Sequence, residues 1–489
     1  MMRGVSCIGV ILLATVLAVA TANTGDKVGV KVAVSQAALG YLKDQMMPVA
    51  EAKALAAQIG DMEARASVPV VGKVDMKIRD MKLNRLHVSN STIELVAPST
   101  LAVSFTGLDL DVTLRWHYRE VKWPHVSDSG RGEGKTTRAS GRVVFALGTD
   151  VQGRPTAKIT GCGLGLKDLS LKLHGGASWL YNAVISMFHG KIVRAIDSAV
   201  CGALTGDVQA LLDKMLAQIP VQEPLGKYFA LDYSLANPGG IVMTAEHELV
   251  ASSQGEFYPQ GGAPGKAPGV PAAMPNSVAS TMFQIFISSF SAQSLGYVAA
   301  SQGLVRKDFT KDMAPLMAQA FFTTDFYAQY APGLVTKYGA GKEVALHFEM
   351  HSTPTVAFSE QDKAVVRAGV EMTVRAKNAA GAFEDAFTML LMATCVGSAK
   401  VENTVISGEL ADANATASLV QSQVGDVDLN GFNDLITFAL SMATGTVNEI
   451  LAKGAPLPSM QGLDFVNPTV LYRNGYIVVT TDIKFTPPF

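Results

Sequence analysis

The sequence predicts an α+β protein built as a tandem pair of domains of like plan. Three observations carry this. Each half runs in the same order: a helical pattern, long alternating strands, then a second long helical pattern. The halves carry opposite charge. Residues 23–230 hold 25 Lys and Arg against 19 Asp and Glu, a balance of +6, while residues 231–489 hold 14 against 23, a balance of −9. Near the midpoint lies "YPQGGAPGKAPGVPAAMP", Tyr258 to Pro275, where proline fixes φ and glycine resists ordering, so helix and sheet are both disfavoured. This run is expected to connect the two domains, and 489 residues are enough for two or three of them.

The chain opens on "MMRGVSCIGVILLATVLAVATANT". Arg3 gives a positive start, Ile8 to Ala20 an apolar stretch, and Ala20-Thr21-Ala22 a small-residue cleavage site. This is the pattern of a secretory signal peptide over residues 1–22, and Cys7 leaves with it. Cys162, Cys201 and Cys395 remain. In an oxidising compartment one pair and one spare thiol are expected, and spacing favours Cys162–Cys201. Cys395 lies in apolar "LLMATCVGS" and reads as a buried, inert thiol. Asn90-Ser-Thr and Asn414-Ala-Thr are glycosylation sequons.

Elements follow in order. In "SQAALGYLKDQMMPVAEAKALAAQI", Leu39, Leu42, Met46 and Val49 recur at helical spacing. "STLAVSFTGLDLDVTLRW" alternates as strand, with Leu101, Val103 and Phe105 in one run and Leu108, Leu110, Val112 and Leu114 in the next. From Trp179 to Met215 a long helix is expected, with Val184, Ile185, Phe188, Ile192 and Ile196 as its apolar stripe and Asn182, Ser186, His189, Arg194 and Asp197 opposite. In the second half "DMAPLMAQAFFTTDFYAQYAPGL" reads as helical. "TPTVAFSEQDKAVVRAGVEMTVRA" reads as strand, and echoes the first half as a Val-rich strand, a turn, then alternation. "FNDLITFALSMATGTVNEIL" reads as the closing helix. An antiparallel sheet wrapped on so apolar a helix leaves an elongated, oily interior suited to an acyl chain. The same pattern also fits an ordinary sheet-and-helix core.

Of the residues 48% are hydrophobic and 17% charged, an oily balance. Residues 267–305 carry no charge, but Ser and Gln throughout that stretch argue against a membrane span. Enzymatic signals are poor. "GGASWLY" lacks the closing glycine of a nucleophile elbow, and "GCGLGLKD" breaks dinucleotide-loop spacing. His347 and His351 in "HFEMH" are four apart, but the Glu is misplaced for a zinc protease and the context is strand-like, so no metal site is expected. No catalytic residue and no cofactor are expected. A near-zero net charge gives no case for nucleic acid. The stretch "RWHYREVKWPHVSDSGRGEGKTTR" reads as a loop that mixes Arg115, Arg119, Lys122, Arg131, Lys135 and Arg138 with Trp116, Tyr118 and Trp123, a combination that suits an anionic headgroup surface. Glu120, Asp128 and Glu133 dilute it, and a solvated hairpin tip fits equally.

Taken together, "GVKVAVSQAALGYL", "GEFYPQ", "DMAPLMA" and "VNEILAKGAPLPSMQGLDFVNPTVLYRNGYIVVTTDI" resemble the family of bactericidal/permeability-increasing and lipopolysaccharide-binding proteins, with the phospholipid and cholesteryl-ester transfer proteins. "LHGGASWLYNAVISMFHGKI" resembles plant-type members most closely. The resemblance spans nearly the whole mature chain. It implies a boomerang of two pseudo-symmetric elongated antiparallel barrels, each wrapped on a long helix and joined by a central sheet. The implied division is 23–225 for the first barrel, 226–285 for central strands and linker, 286–462 for the second barrel, and 463–489 for return strands. The Cys162–Cys201 pair matches the family's single disulfide, which links a strand to the long helix.

The resemblance further implies two apolar pockets for phospholipid acyl chains. Val184, Ile185, Phe188, Ile192 and Ile196, with Leu39, Leu42, Met46 and Val49, would serve the first. Leu435, Ile436, Ala439 and Met442 would serve the second. The family's cationic tip for lipopolysaccharide maps onto Arg119, Lys122, Trp123, Arg131, Lys135 and Arg138, with Lys167 and Lys172. The implied protein is secreted or lumenal and non-enzymatic, acts in innate immunity or lipid transfer, and touches membrane surfaces peripherally; phospholipid is its cargo and lipopolysaccharide its further partner. "ASVPVVGKVDMKIRD" reads as poor in charge where strongly cationic members carry a Lys-rich loop, so attraction to anionic membranes should be weaker here.

Overall fold

The computed structural model describes residues 28–68, 72–96, 98–175, 180–236, 240–244 and 248–487, apart from the side chain of Met317. The expected signal peptide and Trp179, the expected start of the long helix, lie outside the described residues.

The first half is a six-stranded sheet: β2 (Met62–Val68), β3 (Gly72–Val96), β4 (Thr100–Glu120), β5 (Ser127–Thr149) and β6 (Pro155–Gly165) in that order, with β7 (Ser170–His174) also on β5. Its helices are α1 (Gln36–Leu55), α2 (Tyr181–Ala203) and α3 (Gln209–Leu216), the last two joined by one π-type turn at Leu204–Val208. The second half is a seven-stranded sheet ordered β14 (Lys307–Phe309), β15 (Val344–Met350), β17 (Lys363–Lys377), β18 (Phe383–Glu402), β19 (Val405–Ser422) and β20 (Ala455–Pro456), with β16 (Thr355–Ser359) beside β17. Its helices include α5 (Pro332–Tyr338) and the long α6 (Asn433–Leu451); α4 (Ser289–Ser301) precedes them.

Between the halves a six-stranded sheet runs β10 (Ile241–Met243), β11 (Leu249–Ser253), β1 (Val30–Val34), β13 (Phe283–Ser288), β22 (Tyr476–Phe485) and β21 (Leu463–Arg473). A three-stranded sheet of β12 (Glu256–Pro259), β9 (Phe229–Asp232) and β8 (Gln222–Leu225) adjoins it in sequence. The central sheet therefore draws on both ends of the chain. Val30–Val34, which the expected division assigns to the first barrel, pairs with β11 and β13 instead. The tandem α+β plan of two long-stranded antiparallel sheets, each on a long helix, is as the sequence pattern predicts, and the central sheet that joins them is as the family resemblance implies.

The long strands keep one face inward by alternation, with bulges to reset the phase. In β4, Leu108, Leu110, Val112, Leu114, Trp116 and Tyr118 are all buried. The inward phase changes at Gly107, where φ is +67° and the register to β5 shifts. The expected turn at this point is thus a bulge inside one unbroken strand. In the second half the matching segment is a true hairpin, since Thr355–Ser359 folds back on β17. The echo between the halves holds in element order but not in local topology. Residues 312–334, expected to be helical throughout, do not form one helix. They break into short 3₁₀ turns (Lys311–Met313 and Leu316–Phe322), a single helical turn (Thr324–Tyr327) and α5, and Pro315 and Pro332 head two of these pieces.

The Pro/Gly run is pinned rather than loose. Glu256 accepts the Gly265 and Ala267 N–H groups, each at 2.8 Å. Lys31 donates to the Met274 carbonyl at 2.6 Å, and the Gln284 side chain accepts the Val278 N–H at 2.7 Å. Met274 and Val278 pack with Ala33, Val250, Phe286 and Val478 of the central sheet.

Candidate functional site

The first candidate is the pair of interiors. Along α2, Val184, Phe188, Ile192 and Ile196 are buried against the inward residues of β3 and β4, with Ile185 half-buried beside them. A spacing of three and four places these on one helix face, and each fully buried large side chain contributes about 1.5–3 kcal/mol. The opposite face is not simply solvated. Asp197 accepts the Leu164 N–H at 2.7 Å, and the His189 ring meets the Leu169 carbonyl at 2.9 Å. In the second half Leu435, Ile436 and Ala439 of α6 join Phe322, Tyr327, Phe387 and Phe432, while Met442 is half-buried outside that cluster.

Helix α1 departs from expectation. Leu42 and Met46 pack on Ala38, Met215, Phe283, Ile483 and Phe485, against α3 and the central sheet. Leu39 is buried and Val49 half-buried, and neither joins the α2 stripe. Only the small side chains of Ala50 and Ala54 carry α1 into the first interior.

Helix side chains seal the sheet edges. On β6, the Ile159 N–H donates to Gln209 Oε1 at 2.7 Å and Gln209 Nε2 donates to the Ala157 carbonyl at 2.8 Å. Cys162 of β6 is bonded to Cys201 of α2, so the strand-to-helix disulfide is present. In the second half Asn448 of α6 clips Leu410 of β19 in the same way, accepting its N–H at 2.8 Å and donating to its carbonyl at 3.0 Å. Cys395 is a free, buried thiol, and burial pushes its ionisation to higher pH.

The second candidate is the outer face of the first sheet. The segment read as a basic-aromatic loop is mostly strand: β4 runs to Glu120 and β5 starts at Ser127. Glycine suggests loop, but Gly130, Gly132 and Gly134 point inward. A Cβ on them would meet the Trp116 ring, the Leu114 and Leu173 side chains, and Val112, all within 2.7 Å. Arg131, Glu133 and Lys135 between them are exposed. The same parity buries Trp116 and Tyr118, which are 2% and 3% exposed and cannot meet a membrane surface. Trp123, at 86% exposed, is the aromatic residue of the three that stands out.

Register assembles what sequence could not. Arg79, Arg115, Arg131 and His174 stand opposite one another across β3, β4, β5 and β7, all exposed. Lys77 and His117 flank this row on one side; Lys82 and Lys172, with Glu133, flank it on the other. Lys77 and Arg79 come from the segment read as poor in charge. Its period-two alternation, "KVDMKIR", was the available signal. Asp80 lies 3.7 Å from Arg115 and Asp61 3.9 Å from Arg79. Arg119 faces Asp75, whose carboxyl is held below the ordinary range chiefly by the hydrogen bond from Arg65, with Lys77 and Arg119 adding charge. Lys122, Arg131, Lys135, Arg138, Lys167 and Lys172 are exposed and carry no ion pair among the described residues. Asn90 and Asn414 are exposed on β3 and β19.

His347 pairs with Asp308 at 2.7 Å and His351 with Glu371 at 2.8 Å, two separate acid–imidazole contacts. No group of three or more His, Cys, Asp or Glu suited to a metal ion is gathered among the described residues. No described helix is long and apolar enough to cross a membrane.

Two sequence profiles match this architecture half by half. The N-terminal domain of the LBP / BPI / CETP family matches residues 38–215, and the C-terminal domain of the same family matches residues 224–485. The chain belongs to the LBP / BPI / CETP family. Members similar to it include a bactericidal permeability-increasing protein of Sebastes schlegelii, 23% identical over 94% of this chain and 95% of that one. A BPI/LBP family protein of Arabidopsis thaliana is 24% identical over 93% of this chain and 92% of its own length, so the plant and fish relatives stand at like distance. Human lipopolysaccharide-binding protein is 21% identical over 97% of each chain. A crystal structure of lipopolysaccharide binding protein superposes with a TM-score of 0.60 at 19% identity, covering 94% of this chain and 99% of that one, which establishes the shared fold.

Proposed function

We propose that this member of the LBP / BPI / CETP family is a secreted, non-enzymatic lipid-binding protein. It holds phospholipid acyl chains in the apolar interiors of its two halves, and it docks on anionic lipid surfaces by the outer face of its first sheet. The observation that carries this reading is the paired architecture: in each half, long antiparallel strands wrap an apolar helix stripe, Val184–Ile196 in one and Leu435–Ala439 in the other. Burying a chain there is favourable by about 0.8 kcal/mol per methylene. The disulfide supports an oxidising compartment.

Docking is electrostatic and aromatic together. Row-forming Arg115 and Arg131 meet phosphate, and exposed Trp123 sits at the interface. The acids Asp61, Asp80, Asp111 and Glu133 lie among the basic residues, which favours phospholipid handling over tight capture of lipopolysaccharide. Sedimentation with vesicles tests the docking surface. An Arg79→Ser/Arg115→Ser/Arg131→Ser variant should lose binding to phosphatidylglycerol vesicles while still taking up fluorescent phosphatidylcholine. Unchanged vesicle binding would overturn the assignment of that face.

A further inference from the structure

We propose that the C-terminal end of α1, Val49 to Leu55, is a flap hinged at Pro48 and latched by Glu51, and that acyl chains enter the first interior beneath it. The proposal rests on the lipid-binding reading for what passes the flap, but not for the flap itself.

The first sheet has an open edge. β2 pairs with β3 only as far as Ile78, so β3 from Lys82 to Val96 has no strand on that side. An unpaired edge must be covered or it exposes its N–H and C=O groups. Helix α1 covers it with side chains. Gln36 Nε2 donates to the Ile93 carbonyl at 2.6 Å, Lys43 Nζ donates to the Ser91 carbonyl at 2.9 Å, and Glu51 accepts the Val88 N–H at 2.7 Å with the His87 ring beside it.

The two ends of α1 are held very differently. Its first half is anchored: Ser35 caps it, Ala38, Leu42 and Met46 pack on α3 and the central sheet, and the Phe485 N–H donates to the Tyr41 hydroxyl at 3.0 Å. Within Val49–Leu55 the hold on the first interior is Ala50, Ala54 and the Glu51 latch, and buried Ile59 anchors the chain again just past the helix. Alanines bury little area, so this end separates from the core at small cost. Proline inside the helix removes one i→i−4 bond and loosens the helix at that point. Gly60, with open space where a Cβ would stand, follows the flap and precedes β2. At the opposite edge, β6 is tied by the disulfide, Asp197 and Gln209. Of the two edges, only the α1 side can open without breaking a covalent bond.

The test pairs a lipid readout with one that needs no lipid. Transfer of fluorescent phosphatidylcholine from phosphatidylcholine vesicles should be roughly tenfold faster, in uptake and release alike, for Glu51→Ala, the factor expected for losing a hydrogen bond to a charged group. The amount bound at saturation should not change. Glu51→Gln, which keeps an acceptor for Val88, should fall between, and Gln209→Ala at the tied edge should leave both rates unchanged. Hydrogen exchange of the lipid-free protein should show the amides of Val49–Leu55 opening together and faster than those of Ala38–Asp44. Equal exchange across α1, or equal acceleration by Glu51→Ala and Gln209→Ala, would overturn the flap. Absence of any uptake by the unmodified protein, with Val49–Leu55 still opening first, would instead overturn the lipid reading and the entry role with it.

Discussion

Trp116 and Gly130 face each other across β4 and β5, and a Cβ on Gly130 would lie 2.7 Å from the indole ring and 2.2 Å from the His174 carbonyl oxygen. The ring fills the space that the absent side chain leaves. Gly130→Ala should therefore destabilise the first half by about 1–3 kcal/mol, because the carbonyl is backbone and cannot yield. The midpoint of a denaturant titration followed by Trp fluorescence would show it. A midpoint equal to that of the unmodified protein would mean that the ring can move aside.

The disulfide closes a sequence separation of 39 residues. In the chain-entropy treatment, removing it with Cys162→Ala/Cys201→Ala should cost about 4 kcal/mol of stability. Calorimetry of the two forms measures this directly. Reduction should also speed exchange of the Leu164 amide, which Asp197 holds beside the bridge.

Asp232 is buried opposite Glu256 on the neighbouring strand, and burial raises its carboxyl above the ordinary range, with Glu256 adding to the shift and Ser234 opposing it. A carboxyl whose folded-state value is raised destabilises the fold once ionised. The cost is absent below the ordinary carboxylate range and sets in as pH rises through the raised value. Asp232→Asn should therefore raise the melting temperature at pH 7 and leave it nearly unchanged at about pH 4. Melting curves at the two pH values check the sign.

Truncating Glu256 should destabilise the fold. Its Oε2 accepts the Gly265 N–H at 2.8 Å, so Glu256→Ala removes that acceptor inside the Pro/Gly run. A loss of about 1–3 kcal/mol is expected, together with faster proteolysis within residues 260–275.

How far the sequence reached depended on the range of the interaction. The α2 stripe from Val184 to Ile196 was legible because every member lies within a few turns of the next. The strand run from Leu108 to Leu114 was legible for the same reason, and the family resemblance extended the plan to the whole chain. The basic row was not. Arg79, Arg115, Arg131 and His174 are separated by whole strands, and only register brings them together. Glycine misled at 130, 132 and 134, where tertiary packing against Trp116 and Leu114 overrode a local preference for loop. The clamp of Glu256 on the Pro/Gly run and the anchoring of α1 to Phe485 likewise join positions that no local pattern connects.

Lipid in the two interiors is detected by native mass spectrometry of the protein secreted from eukaryotic cells, followed by organic extraction and lipid identification. Two phospholipid-sized adducts per chain are expected, removed by extraction and restored by incubation with phospholipid vesicles. A bare polypeptide mass, unchanged after that incubation, would contradict the lipid-binding reading and leave the two interiors as closed cores.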